Sequence, residues 1–229
     1  MPRTASLPPV ASSPAAIQVP PVRRSQQERR TTTRLALLDA AAACLVDHGV
    51  AGTTTTLVVE RAGVSQGALF KHFATKQDLL TATAQHLYEQ LVARYLERFA
   101  TLAAGADRSH RLDGAIRLLW EMFASPELAA ALDLTNASRT DPELATRLDP
   151  VITAHAARVR SAAVEILPEL TTHRDFPVTF DLILETMTGM AMSHITDEDE
   201  AHYERLVDHL SELAHQRLGG RPGLSRGLR

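Results

Sequence analysis

The stretch from Thr53 to Lys76, TTTTLVVERAGVSQGALFKHFATK, constrains the fold of this chain more than any other. Two short segments with helical apolar spacing meet at Ala62-Gly63-Val64. Thr54 is a good N-cap for the first, whose inward positions are Val58, Val59 and Ala62, and Gly63 supplies the backbone freedom a tight turn needs. Ser65 caps a second helix of about two turns, with Leu69 and Phe73 facing inward and Gln66, Gly67, Lys71 and His72 on the other side. A helix, a Gly-containing turn and a short second helix with a polar, acid-free outer face make the pattern of a helix-turn-helix for double-stranded DNA. The missing acid is informative. Three residues after Ser65 stands Ala68, whereas Thr75 is followed at the same distance by Asp78, so the start of the second helix stays open to phosphate.

Charge supports this reading by its placement. The net charge of −3 does not mark a nucleic-acid protein, yet residues 23–80 hold eight Arg/Lys against five Asp/Glu while residues 81–229 hold fifteen against twenty-two. A basic N-terminal third on an acidic remainder suits a DNA-binding head on a body that does not touch DNA. The 229 residues, 45% of them hydrophobic, suffice for a packed core. Cys44 is the one cysteine, which excludes an intramolecular disulfide, and its inward helical position reads as core rather than as a reactive thiol.

Residues 1–22 hold six of the twelve prolines and no apolar period, so a disordered tail is expected, extended here to residue 28. Arg23, Arg24, Arg29 and Arg30 either form a solvated approach to the first helix or lie along the DNA backbone or in a minor groove. Arg29-Arg30 ahead of the apolar run Leu35 to Val46 also has the outline of an export signal. Asp39 interrupts that run, and Leu37, Leu38, Ala41 and Leu45, closed by Gly49, form the face of an amphipathic helix instead. No other stretch approaches the roughly 18 consecutive apolar residues of a membrane span, so no membrane contact and a cytoplasmic location are expected.

Thr75 opens a helix without Pro or Gly before Gly105. Leu80, Ala84, Leu87, Leu91, Tyr95 and Phe99 stripe it, and about 45 Å at 1.5 Å per residue carries it from the head into the body. Residues 110–124 form another amphipathic helix, and Ser125-Pro126-Glu127 and Asp141-Pro142-Glu143 each begin one. The last of these should bend or break near Pro150 and end at Pro168. Asp175 opens the next helix and Thr196, with Asp199 third after it, the final one, which Gly219-Gly220 closes ahead of a flexible tail over 219–229. The expected fold is all-α. A three-helix head over 29–76 is joined by the long helix to a helical effector-binding and dimerisation body over 77–218.

From about Arg34 to Leu87 the chain resembles the TetR family of transcriptional regulators. The likeness is carried by Leu37-Leu38-Asp39-Ala40-Ala41, Gly49, Thr53-Thr54 and AGVSQGALFKHFATKQDLL. Beyond residue 100 it rests on helical character and helix number alone. The resemblance implies an Ω-shaped homodimer on a palindromic operator, an effector pocket in each body and a dimer interface from the last two helices. It places Thr54, Ser65, Gln66, Gly67, Ala68, Lys71, His72 and Lys76 at DNA. Phe70 departs from the usual Tyr, which removes one hydroxyl from phosphate; Leu57 and Val59 stand where a polar residue and Ala are usual.

Elsewhere, Trp120, Phe123, Met187 and Met190, with Met192, are candidates for an adaptable effector pocket or are plain core. Tyr203, Leu206, Leu210 and Leu213 stripe the final helix, and Gly189 lets the helix before it approach a neighbour closely, which makes these five the candidate dimer interface. His202 and His209 stand two turns apart, not the three or four residues that chelation on a helix requires, so with Glu212 and His215 they read as a solvated or interface face and no metal is expected. Nothing resembles HExxH, a P-loop, a dinucleotide fingerprint or a nucleophile elbow, and no cofactor or catalytic residue is assigned. The expected function is a ligand-responsive, sequence-specific DNA-binding regulator, a repressor released by an apolar or weakly polar small molecule. The alternatives are an architectural or division-control DNA-binding protein without an effector, and an enzyme with a vestigial helix-turn-helix. A body cavity of several hundred Å³ would favour the first.

Overall fold

The computed structural model describes residues 25–194 and 199–218. The proline-rich segment 1–22, Arg23, Arg24, Thr196 and the segment 219–229 lie outside the described residues. Among those described, all regular structure is helical.

Helix α1 (Gln26–Gly52) begins inside the segment that the sequence assigns to the tail. A capping box explains it: Ser25 Oγ accepts the Glu28 N–H at 3.1 Å, and Glu28 Oε2 accepts the Ser25 N–H at 2.7 Å. Gly49 stands at φ +65°, so the regular helix closes there and a last irregular turn runs on to Gly52. Helices α2 (Thr55–Ala62) and α3 (Gln66–His72) follow, joined through Gly63 at φ +66°. Leu37, Leu38, Ala41 and Cys44 of α1, Val58 and Val59 of α2 and Leu69 of α3 form the head core with Phe73 and Leu79. By length and composition α1 could cross a bilayer, yet its apolar side chains are what this core is made of. Phe73 lies just past α3 in extended backbone and still faces inward.

Helix α4 (Lys76–Ala103) opens with a second capping box, between Thr75 and Asp78, and is the spine of the molecule. From its second turn to just past its midpoint Leu80, Ala84, Leu87 and Leu91 pack a middle core with Ala42 and Leu45 of α1, and Phe99 reaches a third core in the far body. The body continues with α5 (Arg108–Phe123), α6 (Pro126–Ser138), α7 (Pro142–Ile166), α8 (Pro168–Thr171), α9 (Phe176–His194) and α10 (Glu200–Leu218). Ser125 and Asp141 cap α6 and α7 through bonds of 3.3 and 3.0 Å ahead of Pro126 and Pro142. Leu128 and Leu134 of α6 and Leu144 and Leu148 of α7 fill the middle core; Ile116 and Trp120 of α5, Ile183 and Met187 of α9, and Tyr203, Val207 and Leu210 of α10 fill the far one.

Helix α7 runs through Pro150 instead of breaking there. Leu144 and Leu148 before the proline and Ala162 and Ala163 after it are buried. Packing at both ends thus holds one rod against an interior-proline cost of about 3 kcal/mol. At α10, Asp199 accepts the His202 N–H at 3.0 Å and so caps the helix; its expected pairing with Thr196 lies outside the described residues.

Candidate nucleic-acid interface and effector cleft

Recognition geometry starts with two hydroxyl caps. Thr54 Oγ1 accepts the Leu57 N–H at 3.2 Å and Ser65 Oγ accepts the Ala68 N–H at 3.2 Å, which fixes the first turns of α2 and α3. Thr54, Ser65, Gly67, Phe70 and Lys71 are exposed, and Gln66, Ala68, His72 and Lys76 are half-buried. Gln66 Nε2 donates to Thr56 Oγ1 at 3.2 Å, while Gln66 Oε1 is buried without a partner. An orphaned buried carbonyl is costly, so turning this amide outward relieves a penalty as well as breaking a bond.

Four cations beside α3 differ from many of those in the body. Arg30, Arg34, Lys71 and Lys76 make no ion pair among the described residues, whereas Arg94, Arg111, Arg117 and Arg160 are held by Glu127, Glu169, Asp208 and Asp181 at 3.0, 2.6, 2.5 and 2.6 Å. The Arg34 guanidinium lies 5.3 Å from the Phe73 ring centroid. Burial, and then the charges of Arg30 and Arg34, hold His72 below the usual histidine range. Arg34 was not among the sequence candidates; its one signal was the four-residue spacing from Arg30 on a helix face.

In the body, a half-open cleft of about 580 Å³ lies between α4 and α7. Gln85, Tyr88, Glu89, Val92 and Ala93 line it from α4, and Pro150, Val151, Ala154, His155 and Arg158 from α7. Tyr88 and His155 stack with centroids 4.0 Å apart and 12° between planes. Burial raises the Tyr88 hydroxyl and pushes His155 down to about 4, so near neutral pH the imidazole is uncharged, with one donor and one acceptor nitrogen. One turn before Pro150, Arg147 donates to Asp78, the capping carboxylate of α4, and to Glu143 at 3.0 Å.

A histidine whose folded pKa lies below its unfolded value contributes stability that is complete above pH about 6.5 and is lost as pH falls toward its folded value. Thermal melts of His155→Phe should therefore lack a component of acid destabilisation between pH about 6.5 and 4, on the order of 1 kcal/mol for a partly exposed ring. An unchanged pH profile in the variant would exclude His155 as its origin.

The structure places two groups of body candidates away from the cleft. Trp120, Phe123, Met187 and Met190 do not line the cleft. Trp120 stacks on Tyr203 at 5.2 Å and meets His194 edge-on at 5.6 Å, Met187 and Met190 are buried, and Phe123 packs against the same core. On α10, Tyr203 and Leu210 are only 2% and 7% exposed and face the chain's own interior, with Leu206 packed beside them. Leu213 is half-buried, and the space beside Gly189 is open. The exposed apolar side chains Val178, Leu182 and Met192, at 68%, 51% and 50%, stand on α9 and recur with Gly189 on one stripe. His215 is tied to Asp113 of α5 at 2.7 Å, and His209 Nδ1 lies 2.9 Å from the Arg205 carbonyl.

Residues 37–83 match the model for bacterial regulatory proteins, tetR family. The HTH-type transcriptional regulator CymR of Pseudomonas putida is 32% identical over 175 residues, spanning 76% of this chain and 84% of CymR. A transcriptional regulator from Rhodococcus sp. RHA1 shares the fold with a TM-score of 0.64 at 22% identity, over 82% of this chain and 99% of that one. FadR from Bacillus subtilis, in complex with stearoyl-CoA, shares it with a TM-score of 0.58 at 18% identity, over 78% and 96%. The all-helical body behind a helix-turn-helix head defines a DNA-binding regulator of transcription. Likeness to CymR across most of both sequences then fixes the family: the chain belongs to the TetR family of bacterial regulatory proteins.

Proposed function

We infer that the protein is a sequence-specific repressor, acting as a cytoplasmic homodimer on a palindromic operator and released by an apolar or weakly polar small molecule. The observation that carries this reading is the α4–α7 cleft of about 580 Å³, a volume suited to a small ligand, walled by the helix whose first residues follow α3. The stearoyl-CoA held by FadR, a protein of the same fold, supports a ligand-binding body. An architectural protein needs no such cleft, and regulators of this family need no catalysis. A ligand tenfold tighter for the released state contributes about 1.4 kcal/mol per site, so strong release requires greater discrimination or both sites filled. The test is to select bound DNA from a random pool and then screen small molecules for its release. Failure of a broad screen would return the architectural reading.

DNA contact is proposed for Thr54, Ser65, Gln66, Gly67, Ala68, Lys71, His72 and Lys76. Lys71→Ala and Lys76→Ala should weaken binding uniformly across sequences and flatten the salt dependence by about 0.9 for each phosphate that is no longer neutralised. Gln66→Ala should instead relax base preference at one position by about 1–3 kcal/mol, because Gln pairs bidentately with adenine. Wild-type binding by all three variants would remove α3 from the interface.

A further inference from the structure

The first turns of α1 present a groove lined by Gln26, Gln27, Arg30, Thr31, Arg34 and Leu35, with a volume of about 660 Å³. No acid lines it. Glu28, the one carboxylate in the first ten or so residues of the helix, is turned back into the capping box with Ser25. Arg30 and Arg34 lie one turn apart, about 6 Å along the axis at 1.5 Å per residue.

Arg34 is held in register with α3. Phe73, whose ring it covers, is 3% exposed, and its backbone N–H donates to the Leu69 carbonyl of α3 at 2.9 Å. A cation over a ring uses the flat face of the guanidinium and leaves its N–H edge available, and that edge matches phosphate oxygens two at a time.

We propose that this groove is a second DNA-contacting surface, on which Arg30 and Arg34 bind phosphates of the backbone flanking the base pairs that α3 reads. The proposal rests on the reading of α3 as the DNA-contacting helix. Charge complementarity and continuity with α3 through Phe73 select a DNA strand as occupant: two cations one turn apart along a helix fit a repeating anion better than a single one. His72 lies within the electrostatic reach of both arginines, which puts the end of α3 near the groove.

The test compares the full-length wild type, the double variant Arg30→Gln/Arg34→Gln and Lys71→Ala on a duplex selected from a random pool, by anisotropy across a salt titration. Both arginines are exposed, and an unchanged melting curve confirms that the double variant is folded. It should bind about tenfold or more weakly, with a salt slope shallower by about 1.8 per head and an unaltered base preference. Wild-type affinity and slope in the double variant, with Lys71→Ala impaired, would overturn the groove and leave α3 in place. Should both variants bind like wild type, the reading of α3 falls with it. A changed base preference in the double variant would put the arginines at base edges and overturn the phosphate assignment.

Discussion

Replacing Leu182 and Met192 with glutamate should make the protein sediment as a monomer and lower its affinity for a two-half-site operator about 10³-fold or more, toward the non-specific level. One seven-residue recognition helix reads only a few base pairs, so specificity needs two heads about 34–36 Å apart or a multiple of that turn. Leu182 and Met192 are half-exposed on α9, and the open space beside Gly189 lets a neighbouring helix come close along the same stripe. Burying each such side chain at an interface contributes about 1.5–3 kcal/mol, whereas an unpaired carboxylate there opposes association. Glutamate at Tyr203 or Leu210 would charge the chain's own core and unfold the body, so the α9 variants separate dimerisation from folding. A dimeric sedimentation coefficient for the double variant would place the interface off α9.

The other large effect is expected at Leu69. Helix α3 has seven residues, far below the roughly 12–15 at which an isolated helix becomes marginally stable, so tertiary anchoring decides whether it exists. Leu69 is 0% exposed and is the only residue within α3 to be fully buried; Phe73 follows it outside the helix. Leu69→Ala should cost about 2.7–5 kcal/mol of head stability. DNA binding should disappear while far-UV circular dichroism, dominated by α4 to α10, stays near wild type and amides 65–73 lose hydrogen-exchange protection. Operator binding at wild-type strength would show that α3 does not depend on this anchor.

What could be read from the sequence was local. The caps Thr54, Ser65, Thr75, Ser125 and Asp141 each bond the residue three positions on, and the inward stripes of α1 and α4 follow from helical period alone. The capping box at Ser25 and Glu28 is equally local, but the proline-rich sequence ahead of it masks the start of the helix. Helical period, by contrast, is blind to partner. The stripe Tyr203, Leu206, Leu210 has the same spacing whether it faces a second copy or, as here, Trp120 and its own core. The cleft was out of reach because Tyr88 and His155 are brought together only by the packing of α4 on α7. Arg34 gained meaning only once Phe73 lay beneath it.

Asp78 accepts from the Thr75 backbone with one carboxylate oxygen and from Arg147 with the other, so a single side chain belongs both to the joint behind α3 and to the helix that walls the cleft. Such a shared group cannot transmit in one direction only. On the proposed reading, whatever factor a cleft ligand removes from DNA affinity, bound DNA must remove from ligand affinity, since the two orders of binding close one thermodynamic cycle. Protein seated on its operator is then the less receptive form, and the amount of operator present becomes part of what sets the concentration at which the ligand acts.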